Sequence, residues 1–289
     1  MSVLARPNPT ILVVTPEIAC LPPGMEPPDG SVVAKAGGLA DVTAGLVTSL
    51  FELGADVHVA IPNYRRLFHI DARELASDAL RRYKTRLPNG RIHLAEDSIF
   101  YYRASVYGGD AAENPRSALR FQREVINHIV PRVDPDIIHC NDWMTGLIPA
   151  AARRLGIACL FTVHNIHTCE LPLAAVEESG IDPRELWSWL YYERYPHSYE
   201  EALNGNPVDM LASGIFAAHF VNTVSPTFLH EILEGYHDFV PEHVRIEFRH
   251  KAAAACATGV LNAPSASFEP SIDALIARRF CPGDHASGK

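Results

Sequence analysis

The chain has 289 residues, 47% of them hydrophobic, and sets 25 Lys and Arg against 34 Asp and Glu for a formal charge of -9. That is enough apolar material for one large domain or two smaller ones, and it excludes a disordered or fibrous protein. The acidic balance, with no local gathering of basic groups, argues against nucleic acid and anionic membranes as partners.

The opening MSVLARPNPT lacks the apolar run of a signal peptide, and no stretch reaches the length of a membrane span. The expectation is a soluble cytoplasmic protein. Six cysteines, at positions 20, 140, 159, 169, 256 and 281, follow neither CxxC spacing nor a dense framework, so reduced thiols are expected.

TILVVTPE, residues 10–17, reads as a buried parallel strand that ends where a proline-rich loop begins. SVVAKAGGLADVTAGL, residues 31–46, then sets Lys35 two places before the pair Gly37-Gly38 at the start of a helix. Paired glycines serve a tight turn, or they open a helix N-terminus to an anion such as phosphate. Leu39, Val42, Leu46, Leu50 and Leu53 mark the helix face, and Gly54 sits where a C-cap glycine belongs. ADVHVAIP, residues 55–62, completes a right-handed βαβ unit. Across Pro88-Asn89-Gly90 the pattern predicts a hairpin and an antiparallel excursion. A helix near Leu119–Val130, the strand DIIHC, a helix near Thr145–Leu155 and the strand ACLFTVHN resume the βα rhythm. Residues 173–204 read as helical, the strand HFVNTVS follows, and Ser225-Pro226 reads as an N-cap with proline at the first helical position.

The fold class expected from this order is α/β, a Rossmann-like, open and mostly parallel sheet with helices on both faces. Such sheets bind ligands at the carboxyl ends of their strands. There the chain sets the Lys35 loop, Asn141-Asp142-Trp143, His164-Asn165 and Ser225.

KAGGLADV, HCNDWMTGL, FTVHN and VNTVSPTFLHEI, in that order between about Ile11 and Asn262, resemble the N-terminal catalytic domain of bacterial glycogen synthases and plant starch synthases. The usual forms there are K-x-G-G-L-x-D-V, H-x-H-D-W, F-T-x-H-N and T-V-S-P-T-Y. The resemblance implies the N-terminal half of a GT-B fold, two Rossmann-like domains facing across a cleft. It implies a retaining glucosyltransferase that moves glucose from a nucleotide-glucose, ADP-glucose or UDP-glucose with the former expected, to the non-reducing end of an α-1,4-glucan. No cofactor or metal is implied.

By the same resemblance Lys35, Gly37 and Gly38 lie against the donor phosphates, with Asp41 near the donor or the sugar. His164 and Asp142 carry the catalytic positions, and Trp143 and Asn165 line the sugar and acceptor region. Residue by residue, the alternatives are a glycine turn with a solvated lysine, a surface aspartate, a core tryptophan and a structural histidine. Capping accounts for Ser225, beside Thr227 of the same motif, without any role in binding.

The chain also departs from the family. Asn141 replaces the second histidine of H-x-H-D-W, IHTCELP (166–172) replaces the usual hydrophobic-A-Y-Q-G continuation, and NAPS (262–265) stands for N-G-I-D. These changes alter the acceptor side and leave the donor loop intact. The expected division is a domain over residues 1–265 and, over 266–289, the start of a linker to a C-terminal domain that is missing here. That domain carries an arginine and a lysine that clamp the diphosphate and an E-x7-E element. It is needed in cis or in trans, whether the chain is a truncation or one product of a split gene, and the isolated chain is expected to be inactive. Two other readings are a noncatalytic glucan- or nucleotide-binding module and a transition-metal site drawn from His139, Cys140, Asp142, His164, His167, Cys169 and Glu170, whose spacing matches no standard motif.

Overall fold

The computed structural model describes residues 8–25, 32–68, 90–108 and 112–263. Strand β1 (Thr10–Val14) buries Leu12, Val13 and Val14 completely, as a strand covered on both faces must. Helix α1 (Gly38–Glu52) begins at the glycine pair, and Gly54 follows its C-cap Leu53 with φ 78°, a left-handed conformation that suits glycine. Its buried face is rotated from the expected one. Leu39, Ala40, Thr43, Ala44 and Val47 meet the core, while Val42, Leu46 and Leu50 are half-buried and Leu53 is exposed. The small side chains of Ala40 and Ala44 let the helix sit close to its neighbours, and this closeness outweighs the larger leucines.

Strand β2 (Asp56–Pro62) runs parallel to β1, and β3 (Ile92–Ala95) runs parallel to β2. The second arm of the expected hairpin thus joins the sheet parallel to β2, and its first arm, with any antiparallel pairing between the two, lies outside the described residues. The strand-like run after β3 turns instead into the short helix α2 (Ser98–Tyr101), because the Asp97 carboxylate accepts the Ile99 N–H at 2.9 Å.

Helix α3 (Glu113–Glu124) continues through a π-helical turn (Val125–Ile129) into α4 (Val130–Val133). Pro131 lies in α4 and brings no N–H, so the widened turn just before it has a local cause. Strand β4 (Ile137–Asn141) leads into a 3-10 turn (Trp143–Thr145) and helix α5 (Ile148–Leu155), and then comes β5 (Ala158–Val163). Residues 173–204, expected to be helical, hold only α6 (Leu173–Glu178), two 3-10 turns and the start of α7 (Tyr199–Gly205), after the short strand β6 (Glu170–Leu171). Strand β7 (Val208–Asp209) pairs antiparallel with β6 and enters α8 (Met210–Ala217). Strand β8 (Phe220–Thr223) is followed by α9 (Pro226–Glu234), which Ser225 caps as expected by accepting the Phe228 N–H at 3.0 Å. Helix α10 (Glu242–Ala253) and strand β9 (Ala257–Gly259) add to the elements expected from the sequence pattern.

Among the described residues the main sheet has seven strands in the order β3-β2-β1-β4-β5-β8-β9, every pair parallel. From β1 the chain builds outward to β3, returns to β4 on the other side, and builds outward again. The strand order thus reverses between β1 and β4, and a crevice opens there at the carboxyl ends. Two glycines let α8 pack closely on the turn before α5 and on β5. A Cβ on Gly146 would overlap the Met210 carbonyl, and one on Gly214 would overlap the Phe161 ring. Among the described residues no helix is long and apolar enough to cross a membrane.

Candidate functional site

The glycine loop is seated over β1 by backbone bonds. Ile18 and Ala34 exchange N–H···O=C bonds at 2.9 Å each, and the Ala19 N–H donates to the Ala40 carbonyl at 3.1 Å. Beneath the loop stands Glu17, 1% exposed. Its Oε2 accepts the N–H groups of Ala36 at 2.5 Å and Gly37 at 2.9 Å, and its Oε1 accepts the Tyr107 hydroxyl at 3.4 Å. The Gly37 N–H, expected to face a phosphate, is thus held by a carboxylate of the chain itself. Helix α1 has no side-chain cap at Gly37, which leaves the N–H groups of its first turn, beginning at Gly38, for a ligand.

Lys35 stands on the exposed side of this loop. Its ammonium pairs with both carboxylate oxygens of Asp41 at 2.7 Å, and the two side chains are 47% and 44% exposed. An ion pair so open to water contributes little, about 0–1 kcal/mol, and exchanges readily for a stronger anion.

Across the crevice the ends of β4 and β5 are tied together. Asp142 takes φ 59° and ψ 176°, a backbone region that strains any side chain and persists only when the surroundings enforce it. Its Oδ1 accepts the N–H groups of His164 at 2.7 Å and Asn165 at 3.4 Å, and its Oδ2 accepts the Asn165 side-chain amide at 3.0 Å. Burial pushes the Asp142 carboxyl up to about 7, against the pull of the two backbone N–H groups and with a small push from Glu17. The His164 ring places Nε2 3.0 Å from Asn141 Oδ1, and burial holds its pKa down to about 4, so the imidazole is neutral at physiological pH. A further buried relay lies on the same strands: His139 Nε2 is 2.6 Å from Thr162 Oγ1, whose hydroxyl donates to Asn222 Oδ1 at 2.6 Å.

A pocket of about 570 Å³ fills the crevice. Of the residues singled out from sequence, Gly37, Gly38, Trp143, His164 and Asn165 line it. Asp142 stands behind the wall, 3% exposed and spent on the His164-Asn165 backbone, while Lys35 and Asp41 stand outside the wall. Trp143 is 5% exposed, and the His167 ring packs against it with centroids 4.9 Å apart and planes tilted by 49°, so most of the indole is spent on core packing. Glu17 and Tyr107 are lining residues that sequence reasoning missed, and His167, considered there only as a metal ligand, lines the pocket as well. Glu17 had a usable signal, an acid three residues past β1 at a strand end. Tyr107 had none, since its partner Glu17 is 90 positions away.

Cys20, Cys140, Cys159, Cys169 and Cys256 are free thiols, and Cys281 lies outside the described residues. Among the described residues no three His, Cys, Asp or Glu side chains are grouped to hold a metal ion.

Residues 10–244 match the family of the starch synthase catalytic domain. The chain belongs to this family. Among its relatives is glycogen synthase 2 of Geobacter metallireducens, 34% identical over 275 residues, with 86% of this chain and 53% of the relative covered. Glycogen synthase 2 of Geobacter sulfurreducens is 32% identical over 226 residues, covering 69% of this chain and 44% of that protein. The chain thus spans about half the length of the curated relatives it matches. The solved catalytic domain of starch synthase IV from Arabidopsis thaliana, bound to ADP and acarbose, superimposes with a TM-score of 0.62 at 21% identity, over 94% of this chain and 55% of that one. This likeness shows the fold: a Rossmann-like half of a GT-B architecture.

Proposed function

We propose that the chain supplies the N-terminal, acceptor-side half of a retaining glucosyltransferase of the glycogen and starch synthase type. Its donor is a nucleotide-glucose, ADP-glucose in this reading, and its acceptor an α-1,4-glucan. The observation that carries the reading is the convergence of the glycine loop and His164-Asn165 on one pocket at the sheet's switch point, in a member of this family. The ADP and acarbose bound by the starch synthase IV catalytic domain support a pocket of this kind with a donor side and an acceptor side.

In this reading the leaving diphosphate meets the first-turn N–H groups of α1 and the ammonium of Lys35, which gives up Asp41 for it. Charge grows on the diphosphate as the sugar departs, so these donors stabilise the transition state more than the bound ground state. His164 and Asn165 contact the sugar, Asp142 fixes the loop that carries them, and Trp143 with His167 shapes the acceptor side. Residues 1–265 form the domain and 266–289 begin the linker to a C-terminal GT-B domain, joined in cis or in trans, that completes the diphosphate clamp. The protein works in the cytoplasm.

The test is transfer of labelled glucose from ADP-glucose and from UDP-glucose to glycogen, by the chain alone and with its C-terminal domain. Transfer by the two halves together, and negligible transfer by residues 1–289 alone, is expected. Binding of nucleotide or glucan with no transfer by the complete protein would favour a noncatalytic module instead.

A further inference from the structure

We propose that Asn141 is a positioning residue that locks His164 in the tautomer with its proton on Nε2, so that the ring turns an unprotonated Nδ1, a hydrogen-bond acceptor, toward the pocket. The consequence for substrate rests on His164 facing the sugar, as argued above; the tautomer itself does not.

The lock follows from what each atom can donate. Asn141 Nδ2 lies 3.1 Å from the Val14 carbonyl oxygen, which only accepts. The amide nitrogen must therefore face Val14, and turning the amide over would set two acceptors against each other in a buried place; Asn141 is 2% exposed. That orientation aims Oδ1 at His164 Nε2, 3.0 Å away. An amide oxygen cannot donate, so Nε2 must carry the proton, and a neutral ring with its proton there has a bare lone pair on Nδ1. Nδ1 has no hydrogen-bond partner among the described residues, and it is not among the buried polar atoms sealed from solvent. His164 itself lines the pocket.

The backbone makes this arrangement rigid. Val14 and Asn141 sit on neighbouring strands whose register pairs Val14 with Cys140, and the Asp142 carboxylate grips the N–H of His164 at 2.7 Å. The ring therefore has little freedom to seek another partner. A second histidine at position 141, as in the motif this chain resembles, has no such rule: an imidazole there donates or accepts at the contacting nitrogen according to its own tautomer. The amide removes that ambiguity. At the sugar, the effect is selection: a hydroxyl that donates to Nδ1 is favoured, and a group that can only accept is refused.

The titratable groups near His164 are His139 on β4, Asp142 after it, and Glu17 and His167 on the pocket wall. Because these also respond to pH, the decisive measurement is made at constant neutral pH. Long-range proton–nitrogen correlation spectra of the 15N-labelled chain, assigned through the loss of one ring in His164→Gln, report which ring nitrogen is protonated. A single Nε2–H form in wild type, giving way to mixed tautomers in folded Asn141→Leu, is expected. A wild-type ring protonated on Nδ1, or averaging between tautomers, would overturn the lock. So would a folded Asn141→Leu that keeps the Nε2–H form unchanged. If Asn141→Leu does not fold, Asn141→Ala, which removes the amide without adding bulk, is read in the same way. None of these readouts uses activity. A locked tautomer in a complete protein that transfers no glucose would therefore refute the glucosyltransferase reading and leave this one standing.

Discussion

The two walls of the pocket are built on opposite plans. On the glycine-loop side Lys35, just outside the pocket lining, is half exposed and held by one equally open carboxylate. On the β4–β5 side Asn141, Asp142 and His164 are buried or nearly so, and each is bonded across the strands. Water screens the first pair, so breaking it costs little, as the proposed exchange of Asp41 for a diphosphate requires. The second set sits in low dielectric, where an unpaired polar atom is expensive, so its geometry is held fixed. The Lys35–Asp41 pair is exchangeable, whereas the β4–β5 wall, like the loop N–H groups on buried Glu17, is set in advance.

The largest expected effect tests the exchangeable pair. In the complete protein, Lys35→Ala should lower kcat at saturating donor roughly a hundredfold, on the order of 2–4 kcal/mol, with Lys35→Gln between it and wild type and with unchanged melting temperatures. Wild-type turnover in Lys35→Ala would mean that the loop is only a turn.

On the other wall the same kind of truncation should strike the fold itself. Asp142→Ala leaves the His164 N–H and the Asn165 amide without their acceptor and should cost about 3 kcal/mol in denaturant unfolding. Asp142→Gly loses the same bonds but fits the φ of 59°, and should recover about 1 kcal/mol of that loss. Equal stability of the two variants would show that the backbone there is not strained.

The same carboxyl also makes stability depend on pH. Folded Asp142 keeps its proton up to about pH 7, whereas the unfolded chain releases it near the ordinary aspartate value of 3.8. The folded state therefore binds more protons between these values, and this contribution to stability, whole at low pH, is lost as pH rises through about 7. Asp142→Asn does not titrate, so its stability relative to wild type should climb from about pH 4 to about pH 7, by at most about 1.4 kcal/mol per pH unit, and then level off. A difference that is flat over that range in paired unfolding curves would mean that the buried carboxyl is already ionised. His139 and His164, both held down to about 4 by burial, act in the other direction in both proteins and cancel in the comparison.

The smallest effect sharpens the contrast. Asp41→Ala frees Lys35 and should change stability by no more than about 0.5 kcal/mol. A loss of 2 kcal/mol or more by thermal unfolding would show that this pair is also structural.

Much of the fold is legible in the sequence wherever the signal is local. The βα alternation, the helix opened by Gly37-Gly38, the Gly54 stop and the Ser225 cap all depend on residues within one or two turns of chain. The buried face of α1 is not legible, because leucine size is visible in a sequence and the distance to a sheet is not. The direction of β3 is not legible either, because a Pro-Asn-Gly turn signal says nothing about which existing edge the next strand will join. The motif order was enough to bring His164 and Gly37 to one pocket, since strand ends of a parallel sheet share one rim.

What each motif atom does once there was decided elsewhere. The sequence by itself determined the class of fold and the rim on which its polar groups gather, because those follow from periodicity and spacing along the chain, while its four motifs carried the resemblance to the family. Only the tertiary structure decided that Glu17 takes the loop N–H groups, that Asp142 holds backbone behind the pocket, that His167 packs against Trp143, and that Val14 sets the direction of the Asn141 amide. A donor's partner is chosen by strand register and depth of burial, and these arise from contacts between residues far apart in the chain: Asn141 and Val14 are 127 positions apart.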